Sequence, residues 1–184
     1  MLKESISPPR IITISGEVST GKSTLSRALA KSLPHWQIVN TGQMFRDFLQ
    51  SRGEDILKVS ALPDTVHIEF DLVQKDILAS HHHSIVEGRL AGWLAQSYSD
   101  VFKIFCIADL DVRIKRYMQR EGCDAQTAHT QIKYRDQKDV EKYQQVYQLS
   151  DYRDAQYYDL MLDCSTKTPE ELTTLVLKHA NLTH

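Results

Sequence analysis

Residues 14–24 read ISGEVSTGKST. The stretch follows the apolar run RIITIS (10–15) and leads into a segment of helical spacing. Gly16, four intervening residues and then Gly21-Lys22-Ser23 fit the pattern of a loop that cradles phosphate. The pattern has a physical basis. A strand must turn sharply so that successive backbone N–H groups aim at one anion, and Gly16 and Gly21 permit both the turn and close backbone approach. The helix that follows adds its N-terminal N–H groups and its dipole at the same place. Lys22 supplies a movable positive charge for the outer phosphates, and the Ser23 hydroxyl can hold Mg²⁺. Two features are awkward. Val18, Ser19 and Thr20 fill a middle where many such loops carry more glycine, and Glu17 sets a carboxylate beside an anion site. The Glu17 side chain is expected to point outward.

Outward from this loop, short apolar runs alternate with helical patterns. RIITIS (10–15), WQIVN (36–40), SIVEG (84–88), VFKIFCIA (101–108) and DLMLD (159–163) read as five strands. They are β-branched or continuously apolar, as central strands of a parallel sheet are. Leu25, Ala28, Leu29 and Ser32 make one face of the first helix; Val66, Phe70, Val73 and Ile77 recur at helical intervals in another. The last helix follows Thr168-Pro169-Glu170-Glu171, a cap with proline at the first helical position. The alternation predicts an α/β fold: a three-layer, doubly wound, parallel five-stranded sheet in a single domain. From about 110 to 157 the chain is polar and helix-forming. That region reads as a helical hairpin inserted before the last strand, either a mobile lid or a solvated excursion.

The 184 residues suit one domain with a full core. A net charge of −2 argues against wholesale nucleic-acid binding. Cys106, Cys123 and Cys164 are too scattered for a disulfide framework or a metal site. The opening MLKESISPPR has no apolar core of a signal peptide, and no stretch reaches the length of a membrane span. A cytoplasmic protein with reduced thiols and no membrane partner is the expectation. The run His81-His82-His83 precedes a strand and reads as loop, since adjacent histidines cannot all face one ion. Tyr143, Tyr147, Tyr152, Tyr157 and Tyr158 read as packing for the hairpin. Trp93 is either core or a wall of a ligand pocket.

A second anion site is indicated at the strand ends. Strand two runs into NTGQMFR, where Thr41 is placed to cap a helix and Arg46 falls one turn in. Arg89 follows strand three in IVEGRLAGW. Two arginines at the carboxyl ends of neighbouring strands converge where such folds bind ligands, and forked guanidinium groups suit a second phosphate. Glu87 ends the same strand. It either orients Mg²⁺ through water or pairs with Arg89 or Lys22.

These segments resemble a known family. NTGQMFR is similar to the ISTGDMLR-like segment of nucleoside monophosphate kinases. EGRLAGW, VRIKRYMQREG, RDQKDVEKYQQVY and YYDLML, in that order, resemble the short, archaeal-type cytidylate kinases from about residue 11 to 164. The resemblance implies a P-loop kinase that moves the γ-phosphoryl of ATP to CMP with Mg²⁺, usually as a monomer. It implies that Gly16, Glu17, Val18, Ser19, Thr20, Gly21, Lys22, Ser23 and Thr24 hold ATP, with Ser23 and Glu87 at the metal. It implies that Thr41, Gly42, Arg46, Gly88, Arg89, Arg135 and Asp139 meet the acceptor, the first three of them in an acceptor-binding helical segment of about 41–80. Arg113, Arg116 and Arg120 fall where a lid of about 113–150 brings arginines to the donor phosphates. Lys22, Arg46, Arg89, Arg120 and Arg135 are the implied catalytic cations. Lys142 stands where the family carries arginine, and Ser19 where it carries glycine. Two other readings stay open: the same fold acting on a different small acceptor, or a non-catalytic nucleotide-binding module.

Overall fold

The computed structural model describes residues 8–54, 62–80 and 82–182. Residues 55–61 of the acceptor segment, His81 of the histidine run and most of the opening MLKESISPPR lie outside the described residues. Five strands form one parallel sheet among them: β1 (Ile11–Gly16), β2 (Gln37–Asn40), β3 (Ser84–Glu87), β4 (Val101–Ile107) and β5 (Leu160–Asp163). Their order is β2-β3-β1-β4-β5. β1 lies at the centre and is buried throughout, which is why it is apolar without a break. The register pairs Ile14 with Glu87 and Gly16 with Cys106, so the ends of β1, β3 and β4 come level with the loop that leaves β1.

Helices cover both faces, giving the three layers foreseen. On one face α1 (Lys22–Ser32) and α7 (Pro169–His179) close over Ile12, Ile14, Ile85, Ile104 and Leu162. On the other, Ile11, Val86 and Phe105 pack with Leu90, Leu94, Tyr152 and Tyr158. α2 (Thr41–Ser51), α3 (Asp64–Ala79) and α4 (Ala91–Leu94) follow the strands of that half. Each fully buried Leu or Ile in these layers contributes roughly 1.5–3 kcal/mol. α7 begins with a capping box between Thr168 and Glu171 and proline at its start, as its sequence foretold.

Local readings differ in three places. The inner face of α1 is Leu25, Ser26 and Leu29, while Ser32 is exposed: Ser26 is drawn inward by a buried carboxylate. α3 buries Val66, Phe70, Gln74 and Leu78, and Val73 is exposed, because its helical stripe drifts one position along. Asn40, not Thr41, caps α2; its side chain accepts from the Gln43 N–H at 2.8 Å, and asparagine between strand and helix is the stronger capping residue. Thr41 is instead buried against Gly88.

The polar region folds as α5 (Leu110–Glu121) and α6 (Ala125–Tyr147). The hairpin is anchored. Tyr117, Ala128 and Ile132 enclose Val18 in a small core of their own. Tyr143, Tyr147, Tyr152, Tyr157 and Tyr158 all pack in or against the main core, and Trp93 tilts on Tyr147 with ring centroids 5.1 Å apart.

The turn carrying Arg89 is positioned by α4. The Gly92 N–H donates to Ser15 Oγ at 2.9 Å, and the Tyr158 ring lies against Gly92. A Cβ at Gly92 would stand 2.6 Å from the ring. Gly92→Ala is therefore expected to cost about 2 kcal/mol through overpacking, a fall in Tm of roughly 4–8 °C for a domain of this size. Thermal unfolding followed by circular dichroism checks this.

Candidate active site

The loop between β1 and α1 curls around Lys22. Its Nζ donates to the carbonyls of Gly16 at 2.9 Å and Glu17 at 2.6 Å. Gly16 must be glycine, since a Cβ there would sit 2.6 Å from the Cys106 carbonyl. Gly21 opens α1 at φ 106, and no side chain caps the helix. The first-turn N–H groups of α1 are thus left to a ligand. Ser19 holds φ 60, a left-handed conformation that glycine adopts freely and serine does not. This accounts for the glycine expected there. The Ser19 hydroxyl is buried and finds no hydrogen-bond partner among the described residues. Desolvation, followed by the nearby Arg89 guanidinium, lowers the Lys22 pKa to about 8.

Glu87 is 6% exposed and accepts three side-chain hydrogen bonds. They come from Ser23 Oγ, from Ser26 Oγ at 2.9 Å and from Asn40 Nδ2 at 3.2 Å. Glu87 thus meets Ser23 at the start of α1, while Arg89 pairs with Asp139 on α6. A hydroxyl and a carboxylate in contact at the foot of the loop are hard oxygen donors of the kind Mg²⁺ takes.

Arg89 lies near enough to Lys22, Arg135 and Tyr143 to perturb each of them electrostatically. Arg135 also has Arg120 and Tyr117 as neighbours. Lys22, Arg89, Arg135 and Arg120 are thus linked in turn by mutual electrostatic influence. Arg46 has a local partner. It is exposed and folds back on its own helix, Nη2 donating to Gln43 Oε1 at 2.6 Å, close to Gly42. Gly88 is fixed by close approach, for a Cβ would overlap the Thr41 hydroxyl.

The arginines of α5 divide. Arg113 is buried beneath the loop, donating to the Val18 carbonyl at 2.8 Å and to the carboxylates of Glu17 and Asp136 at 3.0 and 2.5 Å. Arg116 donates to the carbonyls of Thr20 at 3.1 Å and Cys164 at 2.6 Å. Arg120 stays exposed, with its guanidinium 5.0 Å from the Tyr117 ring centre. A recess of about 530 Å³ opens beside the loop, lined by Ser19, Gly21, Lys22, Ser23, Arg27, Arg116 and Arg120. Glu17, expected to point outward, turns behind the loop onto Arg113 and Arg153. The repulsion feared at the loop is thereby offset.

Lys142 does not reach this crevice as a fork. It meets His67 of α3, and burial pulls its pKa to about 8. Asp71, beside Gln74, is pushed up to about 7 by burial. Sequence reasoning missed Ser26, Asn40, Asp136, Arg153 and this α3–α6 cluster. Only Asn40, at a strand–helix junction, carried a local signal. Among the described residues no group of three His, Cys, Asp or Glu side chains is arranged to hold a metal. His83 instead faces Trp36 at 5.1 Å. No described helix is long and apolar enough to cross a membrane.

Comparison with known proteins identifies the family. The model of the cytidylate kinase-like family matches residues 35–166. A cytidylate kinase of Natronomonas pharaonis is 34% identical over 93% of this chain and 89% of its own length. One from Thermoplasma volcanium is 33% identical over 90% and 88%. The crystal structure of shikimate kinase from Acinetobacter baumannii shares the fold with a TM-score of 0.61, at 10% identity, over 94% of this chain and 93% of that one. The matched span takes in Arg89, Glu87 and the whole α5–α6 hairpin. On these grounds the chain belongs to the cytidylate kinase-like family.

Proposed function

We propose that the protein transfers the γ-phosphoryl group of ATP to CMP or dCMP, with Mg²⁺, as a cytoplasmic monomer. What carries the reading is that Arg89, just after β3, lies within electrostatic reach of Lys22 at the start of α1. One cation comes from the first turn of α1 and the other from the turn after β3, and a pair of facing phosphates is a ligand that relieves them. The unpartnered Ser19 hydroxyl and the uncapped start of α1 fit the donor's phosphates. The choice of cytosine rests on the names of the relatives. Free thiols at Cys106, Cys123 and Cys164 suit a reducing compartment.

The work of the site is positioning and charge neutralisation. Lys22 would leave the carbonyls of Gly16 and Glu17 for the outer phosphates of ATP. Ser23 and Glu87 would hold Mg²⁺, which supplies further neutralisation of phosphate charge. Arg89, aimed by Asp139, would take the acceptor phosphate together with Arg135. Arg46 would swing from Gln43 onto the same group, beside Thr41, Gly42 and Gly88. Arg120 would reach the donor from the hairpin, whose approach excludes water. The acceptor phosphate is already ionised, so no general base is needed.

A coupled ADP-release assay with CMP, dCMP, UMP and AMP tests the reading. Turnover greatest with the cytidine nucleotides is the expected outcome. Preference for another acceptor moves the reading within the fold, and silence with tight ATP binding makes the chain a nucleotide sensor. Arg89→Met should lower kcat/KM for CMP by about 10²–10³, measured at a temperature where the variant, which leaves Asp139 without its partner, is still fully folded. Lys22 gives a pH dependence. Its charge is present below pH 8 and lost as pH rises through about 8 in the free protein. The KM for ATP should therefore climb between pH 7.5 and 9, while kcat at saturation, where bound phosphate restores the proton, stays level.

A further inference from the structure

A carboxylate in a phosphate-binding loop is an oddity, and here two arginines behind the loop take it up. Glu17 Oε2 accepts from Arg113 Nη1 at 3.0 Å and Oε1 from Arg153 Nη1 at 3.2 Å. Arg113, only 6% exposed, spends its other nitrogens on the Val18 carbonyl at 2.8 Å and on Asp136 Oδ2 at 2.5 Å. Asp136 Oδ1 in turn accepts from the Val18 N–H at 3.4 Å. Both peptide groups of Val18 are thus held from the hairpin, one by α5 and the other by α6. The next residue is Ser19, in its left-handed conformation. A non-glycine residue persists there only where its surroundings impose it. The side chain of Val18 is fixed as well, within the small core of Tyr117, Ala128 and Ile132.

We propose that Glu17, Arg113 and Asp136 are positioning residues that hold the donor loop in its anion-binding form, so that the carboxylate at Glu17 strengthens donor binding. None of the three touches the donor. They act through the Val18 peptide and through the turn at Ser19, and fixing that turn beforehand removes an ordering cost from binding. The inference rests on ATP being the donor.

Single variants separate this from a mere staple. Glu17→Gln leaves Arg113 on Asp136 and Val18, and leaves Arg153 on Asp151, so no cation is stranded. Asp136→Asn leaves Arg113 on Glu17. Mg²⁺·ATP and CMP are titrated separately into wild type and each variant by calorimetry, with Tm recorded alongside. Each variant is expected to weaken ATP by about tenfold and CMP by less than about twofold. An unchanged ATP affinity with a lower Tm overturns the inference and leaves the kinase reading standing, as does an equal loss for both nucleotides. A wild type that binds no ATP removes both. Should Glu17→Gln fail to fold, Asp136→Asn decides alone.

Discussion

The crevice depends on one buried carboxylate. Glu87, at the end of β3, accepts from Ser23 and Ser26 of α1 and from Asn40 at the start of α2. A charge at 6% exposure would be costly without such partners. With them it registers three elements. The helix that follows the donor loop, the helix that opens the acceptor side and the strand that carries Arg89 are all tied at the same point. Asn40 serves twice, since its other side-chain atom caps α2. The sheet brings these ends level, and Glu87 fixes their side chains relative to one another.

Around that anchor the field is positive, and the protein spends its own anions sparingly. Asp139 is paired with Arg89, and Glu17 and Asp136 with Arg113. These carboxylates lie behind or beside the cations, so each holds a guanidinium in place. Lys22 makes do with two carbonyls of its own loop, a weaker arrangement that a phosphate can displace. Desolvation and Arg89 leave it easily discharged. A site built this way binds anions and has little to offer a neutral ligand.

The fold was legible because its signals are local. Five apolar runs separated by helical spacing read directly as β1 to β5, and Gly16, Gly21 and Lys22 sit where a strand meets a helix. The positions of Arg89, Glu87 and Asp139 followed from segments like EGRLAGW, whose small residues Gly88 and Gly92 are demanded by Thr41 and Tyr158. What stayed hidden depends on distant pairing. Arg113 shares a helical stripe with Arg116 and Arg120, and the family resemblance gave all three to the donor phosphates. The structure turns Arg113 under the loop, because its partners Glu17 and Asp136 come from elsewhere in the chain. Asp136 and Arg153 looked like ordinary polar residues of a solvated hairpin. Helical period likewise placed Val73 inside, where Gln74 is buried beside Asp71.

The central claim is that two phosphate sites face each other across one gap. It is tested most directly with a single compound, adenosine and cytidine joined 5′ to 5′ through a polyphosphate chain. Such a molecule is expected to compete with both ATP and CMP and to bind far more tightly than either, since one association fills both sites. Competition with ATP alone, at an affinity no better than that of ATP, would contradict the account.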